Sequence, residues 1–372
     1  MRKFLKKNSR LLLVLLILLG WRFYLLIIET VRVAIPERHG YLGFIPQANF
    51  DGVYYISISQ FWYRGLDQAF FPLYPITISL FSRILMIGPA VSGIIVSLLS
   101  TLFLLITLQK LMELDNFKKE AIWASLFYLS FPSSFFLTGI YTESLFILLV
   151  ILSFYLARRK SLLLSGIVGA LASATRVVGI FLLPALALES YEQYKKEKNS
   201  YGNVLKYFAP LIIIPLGLLS YMVFLWYKYS DPLLFVHMQP LFGAGRSGGG
   251  LILAPQVVYR YVKILLTVPR TELRFWVAVL ELSTLAICLS ALYLAFKKGV
   301  RKSYLLFSLL VLILPTLSGT LSSLPRYALA SFAVFIFLAT IKNPFLKITL
   351  LLIGLVIEGL LASLFFQGYF VS

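Results

Sequence analysis

Long apolar stretches, separated by short polar or basic segments, recur along almost the whole chain. A helix that crosses a bilayer needs about 20 apolar residues, and most of these stretches approach that length. The pattern predicts an all-α, polytopic transmembrane helical bundle with about 9–11 membrane segments, in which residues 1–372 form a single integral membrane domain. The predicted helices are Leu11–Val33, Phe71–Ile87, Val91–Leu111, Ala121–Leu137, Glu143–Ala157, Ser161–Leu188, Tyr207–Tyr229, Leu273–Phe296, Tyr304–Gly319, Tyr327–Ile341 and Phe345–Phe366.

Two longer segments, residues 34–70 and 230–271, interrupt this pattern. Both are rich in aromatic residues and neither is of low complexity. Loops of this length in a compact protein are usually either functional or disordered, and this composition favours function. In the first loop, Ile56, Phe61 and Trp62 are typical of helices that lie along the membrane interface.

The composition fits a membrane protein better than a nucleic-acid-binding protein. The chain is 60% hydrophobic and only 13% charged, whereas about a quarter of the residues in a soluble domain are charged. The net charge is +19, but the chain lacks the solvated scaffold that a nucleic-acid-binding face needs. The lipid bilayer is therefore an expected partner and nucleic acid is not. With one cysteine and two histidines, the chain has neither an internal disulfide nor a thiolate or imidazole metal cluster.

Basic clusters set the predicted orientation, because lysine and arginine accumulate in cytoplasmic loops. A basic N-terminus followed by an apolar run without a small-residue cleavage site indicates an uncleaved first helix that starts in the cytoplasm. Both long loops then face outward. The later clusters that fit this orientation are Lys195, Lys196, Lys198 and Lys206, then Lys297, Lys298, Arg301 and Lys302, and finally Lys342 and Lys347.

Two other basic clusters, Lys118–Lys119 and Arg158–Lys160, constrain the topology further. Simple alternation of the predicted helices would place both outside the cell. They move to the cytoplasmic side if residues 71–111 cross only once and Ser161–Leu188 is a broken pair of half-helices. We prefer this second topology, which also places Glu143 on the outer side.

Ionisable groups within or beside membrane helices are costly and therefore indicate function. Asp51, in an apolar and aromatic stretch of the first long loop, is the sharpest case. An aspartate before a helical run is also a common N-cap, and spacing alone gives both interpretations equal weight. Glu143 follows Thr142 and fits a first-turn role equally well. Arg176 lies in an apolar run and needs an anionic partner or a water-filled cavity.

Two segments carry weaker signals. In the run Ala69–Pro75, two prolines three residues apart fix the entry into a helix, although the aromatics also fit an interfacial anchor. The second long loop holds His237 and Gln239, followed by a glycine-rich stretch around Arg246. Glycines allow close approach to a ligand, a mobile lid or a flexible connector. Without a preceding strand and a following helix, this is not a nucleotide-binding loop.

Taken together, these motifs resemble the second GPI mannosyltransferase (PIG-V type) family, which has prokaryotic relatives. The resemblance is good over residues 48–179 and looser in the C-terminal half. The family usually has Arg-Trp before its aspartate, where this chain has Asn49-Phe50, and Tyr54 stands where eukaryotic members often carry histidine. The segments that carry the resemblance are Asp51-Gly52-Val53-Tyr54-Tyr55, Ala69-Phe70-Phe71-Pro72-Leu73-Tyr74-Pro75, the run from Pro132 to Tyr141-Thr142-Glu143-Ser144-Leu145-Phe146, and Pro325-Arg326-Tyr327.

The resemblance implies a GT-C glycosyltransferase that moves a sugar, mannose by expectation, from a polyprenyl-phosphate donor with inversion. It implies an acceptor hydroxyl on a lipid-linked molecule, a glycan or a protein, and it makes Asp51 the general base. A prokaryotic cytoplasmic membrane with the active site on its outer face is the expected location. The residues expected to contact substrates are Tyr54, Tyr55, Phe71, Tyr74, Glu143, Arg176, His237, Gln239, Arg246, Arg326 and Tyr327.

The lipid phosphate that leaves needs a cation, and the planar fork of arginine binds two phosphate oxygens at once. Arg326 and Arg246 rank first for this role by position, followed by Arg176. No cofactor is expected to be obligatory. A divalent metal shared by Asp51 and Glu143 is an alternative that we do not favour, because the sequence has no dense carboxylate cluster.

Two other function classes stay open at this stage. A lipid or solute transporter or flippase would suit broken helices and an intramembrane Arg176, although the two halves of the chain show no inverted repeat. A scaffold subunit without catalytic activity is the third alternative, and it would not depend on Asp51.

Overall fold

The computed structural model describes residues 2–32, 35–38, 45–196, 204–243, 245–247, 250 and 252–371, and gives the backbone alone for residues 2–10. Over these ranges the chain is helical and contains no strand. The helices are α1 (Arg2–Val31), α2 (Asp51–Phe61), α3 (Leu73–Leu85), α4 (Pro89–Leu114), α5 (Ala121–Leu129), α6 (Glu143–Arg158), α7 (Leu162–Ser173), α8 (Leu182–Lys196), α9 (Val204–Phe208), α10 (Leu216–Tyr229), α11 (Leu234–His237), α12 (Ala254–Thr267), α13 (Leu273–Lys297), α14 (Lys302–Leu317), α15 (Leu324–Ala330), α16 (Phe332–Ala339) and α17 (Pro344–Phe366).

Several of these helices have the length and composition of membrane spans. Five helical stretches among the described residues qualify: Leu11–Val31, Pro89–Leu114, Val204–Tyr229, Leu273–Lys297 and Pro344–Phe366. Three shorter apolar helices accompany them: Leu73–Leu85, Leu162–Ser173 and Lys302–Leu317. The prediction of an all-α membrane bundle is therefore confirmed, while the count of about 9–11 segments stays a prediction.

Some predicted helices are interrupted where the backbone finds other partners. The predicted span Ala121–Leu137 stops at the end of α5 and resumes as a 3-10 segment over Ser134–Leu137. Pro132 lies in this gap and has no N–H to donate, and the hydroxyl of Ser133 donates to the carbonyl of Pro325 (2.7 Å). The predicted span Tyr327–Ile341 is likewise divided, between α15 and α16.

The lengths of α3 and α4 favour a single crossing by residues 71–111, and this topology stays a prediction. Helices α3 and α4 form an antiparallel hairpin, in which the hydroxyl of Tyr74 lies 2.8 Å from that of Ser97. With 13 residues, α3 is about 20 Å long, shorter than the hydrocarbon core of about 30 Å. Of these two helices, only α4 is long enough to cross the bilayer.

The predicted span Ser161–Leu188 is broken, as expected. Helix α7 ends at Ser173, the chain continues through Arg176 and a 3-10 segment over Val177–Phe181, and α8 starts at Leu182. The carbonyl of Ala174, in the break, accepts a hydrogen bond from the backbone N–H of Leu73 (3.2 Å). Irregular backbone at membrane depth needs such a partner, and the break brings Arg176 inside the bundle.

A polar cluster joins four helices at the end of the bundle that carries basic loops. Arg158, at the end of α6, pairs with Asp115 after α4 (2.8 Å), and Arg301, just before α14, pairs with Glu189 of α8 (2.9 Å). Glu143 starts α6 and Arg158 ends it, so the two are separated by about 22 Å along the helix. The predicted basic clusters thus gather at one end of the bundle, and Glu143 lies toward the other.

Small residues allow α7 and α10 to pack at close range. Gly217, near the start of α10, faces the carbonyl of Ala170 in α7, and Gly166 of α7 faces the carbonyl of Pro210. A Cβ atom at either glycine would overlap these oxygens. Helices in membranes associate through such small residues because apolar burial gives little drive in lipid.

We expect Gly217→Ala to lower the stability of the detergent-solubilised protein by about 1–3 kcal/mol, the usual cost of overpacking. The midpoint of thermal unfolding, measured by size-exclusion chromatography of heated samples, reports this loss. Gly20→Ala in α1 is the matched control, because a Cβ atom added at Gly20 would meet nothing within 4 Å. Equal midpoints for both variants would contradict the packing described here.

Candidate active site

Asp51 is the first residue of α2, and the backbone before it is strained. Phe50 has φ 58° and ψ −114°, a region that side-chain-bearing residues rarely adopt. Its ring packs against Phe365 (5.6 Å between centroids) and Phe370 (5.3 Å). The amide of the buried Asn49 donates to the carbonyl of Phe365 (2.9 Å). Contacts with the end of α17 therefore hold the turn that presents Asp51.

A buried chain of ion pairs begins at Asp51. Arg326 donates through Nη1 to Oδ2 of Asp51 (2.7 Å) and through Nε to Oε1 of Glu143 (2.7 Å). Arg176 donates to the same oxygen of Glu143 (2.6 Å). Asp51 is thus not the N-cap, which is Phe50, and no side chain caps α2. Instead of capping a helix, its carboxylate is held by an arginine 275 residues away.

Aromatic rings support both arginines of this chain. The Arg326 guanidinium lies over the rings of Phe136 (4.9 Å to the centroid) and Tyr141 (4.7 Å). The Arg176 guanidinium lies over Tyr327 (4.8 Å). Such stacking is favourable for a cation removed from water, and it restricts each guanidinium to one orientation.

The two long loops meet above this ion-pair chain. The ring of Phe242 in the second loop packs against those of Tyr54 (5.6 Å between centroids) and Phe70 (5.4 Å) in the first. Arg246 donates to the amide oxygen of Gln239 (3.0 Å). Residues 34, 39–44, 244, 248–249 and 251 of these predicted loops lie outside the described residues. The helix α2 confirms that the first loop is partly helical.

A cavity of about 840 Å³ opens on one side of Asp51. Its walls come from α2, α12, α13 and the segment before α15, and five arginines and two carboxylates line it. This surplus of cations suits an anionic ligand. The charged residues are Arg38, Asp51, Arg246, Arg260, Arg274, Glu281 and Arg326.

A smaller chamber of about 140 Å³ lies on the other side. Aromatic residues and Arg176 make up much of its wall, and it shares Asp51, Arg246 and Arg326 with the large cavity. Asp51 therefore stands where the two spaces adjoin. The predicted site residues that line this chamber are Asp51, Tyr55, Phe71, Arg176, Gln239, Arg246, Arg326 and Tyr327.

Of the remaining predicted residues, one lines the large cavity and three line neither space. Tyr54 lines the large cavity, and Glu143 forms ion pairs with Arg176 and Arg326. Tyr74 is fully buried and bonded to Ser97. His237 lines neither space: its Nδ1 lies 2.7 Å from Asp231, and this hydrogen bond lowers the pKa of Asp231. Contact of Tyr74 or His237 with substrate stays a prediction.

Several residues of the large cavity were missed from the sequence. Glu281 is an acid inside the apolar helix α13, a signal that intramembrane charge should have provided. The others lie in the segment 230–271 or just after it, where residue spacing gave no reason to single out one side chain as functional. They are Arg260, Tyr261 and Arg274. Arg260 donates to the carbonyl of Gly319 (3.0 Å), so α12 is attached to the segment before α15.

With this geometry established, comparison with known proteins becomes informative. The model of the family described as mannosyltransferase (PIG-V) matches residues 38–237, more than half of the chain. The chain belongs to the mannosyltransferase (PIG-V) family. The family match confirms the resemblance found in the motifs and places the chain among membrane glycosyltransferases. The matched range contains Asp51, Glu143 and Arg176 and ends before Arg246 and Arg326.

A solved structure with a related shape is the oligosaccharyltransferase of Archaeoglobus fulgidus, tethered to an acceptor peptide. It is 11% identical, the TM-score is 0.42, and the match covers 94% of this chain and 55% of that one. Family membership, rather than this distant likeness, carries the GT-C assignment. A search of curated proteins found no match to the sequence.

We expect Arg326→Gln to destabilise the protein by about 3–5 kcal/mol, because it leaves Asp51 without a cation and the buried Glu143 with Arg176 alone. Thermal unfolding in detergent measures the loss. Arg64→Gln, on an exposed arginine of the first loop, is the control. Adding Asp51→Asn to Arg326→Gln should recover part of the stability, since it removes the carboxylate that has lost its cation. An unchanged midpoint for Arg326→Gln alone would disprove the bridging role.

Proposed function

We propose that this membrane glycosyltransferase moves a mannosyl group from a polyprenyl phosphate to an acceptor hydroxyl, with inversion. The acceptor hydroxyl belongs to a lipid-linked molecule, a glycan or a protein. One observation carries the proposal: Asp51 stands between a large, arginine-rich cavity and a small aromatic chamber. A base at such a junction can take the proton of an acceptor hydroxyl in one space, while the phosphate of the donor leaves the anomeric carbon in the other.

The large cavity suits the lipid-borne donor. Its arginines offer charge to a phosphate, and apolar residues such as Val277, Ala278 and Ile264 accommodate the lipid and the sugar ring. Arg246 fits the phosphate best among the arginines predicted for this role, because one of its partners is a neutral amide and it lines both spaces. Arg326 and Arg176 are already engaged by carboxylates and position the site instead.

The small chamber suits the acceptor. Tyr55, Phe71 and Tyr327 supply aromatic faces, and Arg176 and Gln239 supply hydrogen-bond donors. The acceptor oxygen attacks the anomeric carbon, and the bond from that carbon to the phosphate oxygen breaks. Asp51 takes the hydroxyl proton, and the phosphate leaves as an anion that arginine stabilises. A single displacement of this kind inverts the anomeric centre, and its transition state resembles an oxocarbenium ion.

Arg326 sets the orientation of the base. It occupies Oδ2 of Asp51, and among the described residues no donor engages Oδ1. The second oxygen is therefore available to accept a proton. The side chain of Asp51 is 25% exposed, so the carboxylate reaches the cavity while its arginine stays buried.

The outer face of the membrane is the proposed side of the reaction. The basic clusters gather at the opposite end of the bundle and belong in the cytoplasm by the positive-inside rule. A polyprenyl chain can then lie among the helices while its phosphate and sugar stay at the outer interface. The same arrangement places the N-terminus in the cytoplasm.

We expect Asp51→Asn to fold normally yet to lose turnover by at least about a hundredfold, the scale of general-base loss. The amide oxygen still accepts a hydrogen bond from Arg326 but cannot take the proton. Release of polyprenyl phosphate from polyprenyl-phosphate mannose, with a glycan acceptor, measures turnover. Glu37→Gln, on an exposed carboxylate of the same loop, should react at the wild-type rate.

Normal turnover of Asp51→Asn would remove this residue from the mechanism. Uptake of substrate into vesicles without sugar transfer would instead indicate a transporter or flippase. Either result is readily told apart from misfolding by the elution profile of the purified variant.

A metal ion is not needed in this proposal. Asp51 and Glu143 are already bridged by the cation of Arg326. Among the described residues, no three metal-ligating side chains cluster. We therefore expect EDTA to leave the transfer rate unchanged in a buffer without added divalent cations. Loss of activity that Mg²⁺ or Mn²⁺ restores would show that a metal takes part.

A further inference from the structure

Glu281, which the proposed reaction does not use, lines the large cavity from α13. Glu281 and Tyr261 are each only 4% exposed, and the hydroxyl of Tyr261 donates to Oε2 of Glu281 (2.5 Å). The same hydroxyl accepts from the backbone N–H of Leu321 (2.9 Å). Three separate parts of the chain thus hold this carboxylate in the cavity wall.

One stripe of α13 faces the cavity, made of Arg274, Val277, Ala278 and Glu281. Arg274 and Glu281 are two helical turns apart, so the carboxylate lies about 10 Å deeper than the arginine. Arg274 is exposed and Glu281 is buried. The phosphate is assigned to Arg246, which lines the same cavity. A carboxylate repels a phosphate, so neutral hydrogen-bond donors suit the space beside Glu281.

Glu281 also lies near the reacting groups. Its partner, the hydroxyl of Tyr261, accepts from Leu321 just before α15, and Ser323 lines the same cavity as Glu281. Ser323 precedes α15 and has φ 65°, and three residues later Arg326 holds Asp51. Both carboxylates therefore border the part of the cavity beside the first turn of α15, where a sugar attached to the phosphate must place its anomeric carbon.

We propose that Glu281 binds hydroxyl groups of the donor sugar and, with Tyr261, determines which sugar the enzyme accepts. This assignment rests on the proposed function. The two oxygens of a glutamate side chain accept hydrogen bonds, so they match the adjacent hydroxyls of a hexose. Tyr261 holds Oε2 and so orients the carboxylate toward the ring.

The test compares two lipids that differ only in the sugar. Binding of polyprenyl phosphate and of polyprenyl-phosphate mannose is measured for the wild-type protein and for Glu281→Gln in nanodiscs. We expect Glu281→Gln to bind the mannosylated lipid about tenfold more weakly, the scale of one hydrogen bond. Binding of the bare lipid phosphate should not weaken.

Glu358→Gln is the matched control. Glu358 is also buried in a long apolar helix and accepts one neutral donor, the indole Nε1 of Trp21 (3.1 Å), but it lines neither space. Its substitution should change neither affinity. The control therefore separates recognition of the sugar from the general effect of removing a buried carboxylate.

Equal weakening of both lipids by Glu281→Gln, or no change in either, would overturn the assignment and leave the proposed function standing. If the wild-type protein binds neither lipid, the proposed donor class itself is wrong. Should Glu281→Gln fail to fold, Tyr261→Phe keeps the ring and removes the orienting hydroxyl. An unchanged ratio of the two affinities in that variant would equally overturn the assignment.

Discussion

The structure around the site depends on one guanidinium shared between two carboxylates. Arg326 is buried beneath the cavity floor, where an unpaired charge would cost several kcal/mol, about the penalty found for buried ions in general. Asp51 and Glu143 each accept one of its hydrogen bonds, and the rings of Phe136 and Tyr141 cover it. Because each member needs the others, α2, α6 and α15 have to meet at one point.

This constraint explains why two residues tolerate unfavourable backbone conformations there. Phe50 precedes Asp51 and Ser323 precedes α15, and both have positive φ. Such strain persists where the surroundings over-determine the geometry. At Phe50 the surroundings are the rings of Phe365 and Phe370 and the buried amide of Asn49. The strain therefore stays with the turn that presents Asp51.

The sequence revealed the helices and their break better than it revealed the cavity. Apolar runs predict membrane helices because lipid requires every backbone group to be bonded within the segment. Simple alternation of the helices would have placed two basic clusters outside the cell, and this conflict predicted that Ser161–Leu188 is a broken pair of half-helices. Arg176 lies at the break. Asp51 and Arg326 were recognisable from family motifs. Their pairing was not, since 275 residues separate them and no local pattern encodes a contact between distant loops.

Glu281 was missed for a different reason. Its charge in an apolar run was a signal, but that signal assigns no role until the partner is known. The partner, Tyr261, lies on an amphipathic helix of the second loop. The prediction of one continuous helix over Ala121–Leu137 was wrong. Pro132 has no N–H to donate and the Ser133 hydroxyl bonds to the carbonyl of Pro325, so the backbone leaves the helix there. In each case distant side chains decided the outcome, whereas the predictions used neighbours in sequence.

The link between Asn49 and Phe365 has a consequence for how the protein matures in the cell. The two residues are 316 positions apart, so the ribosome releases the first loop long before α17 enters the bilayer. Until that last insertion, the turn before Asp51 lacks its contacts with α17, and a nascent chain holds an incomplete candidate site. The complete site should thus arise late, as a property of the fully inserted chain.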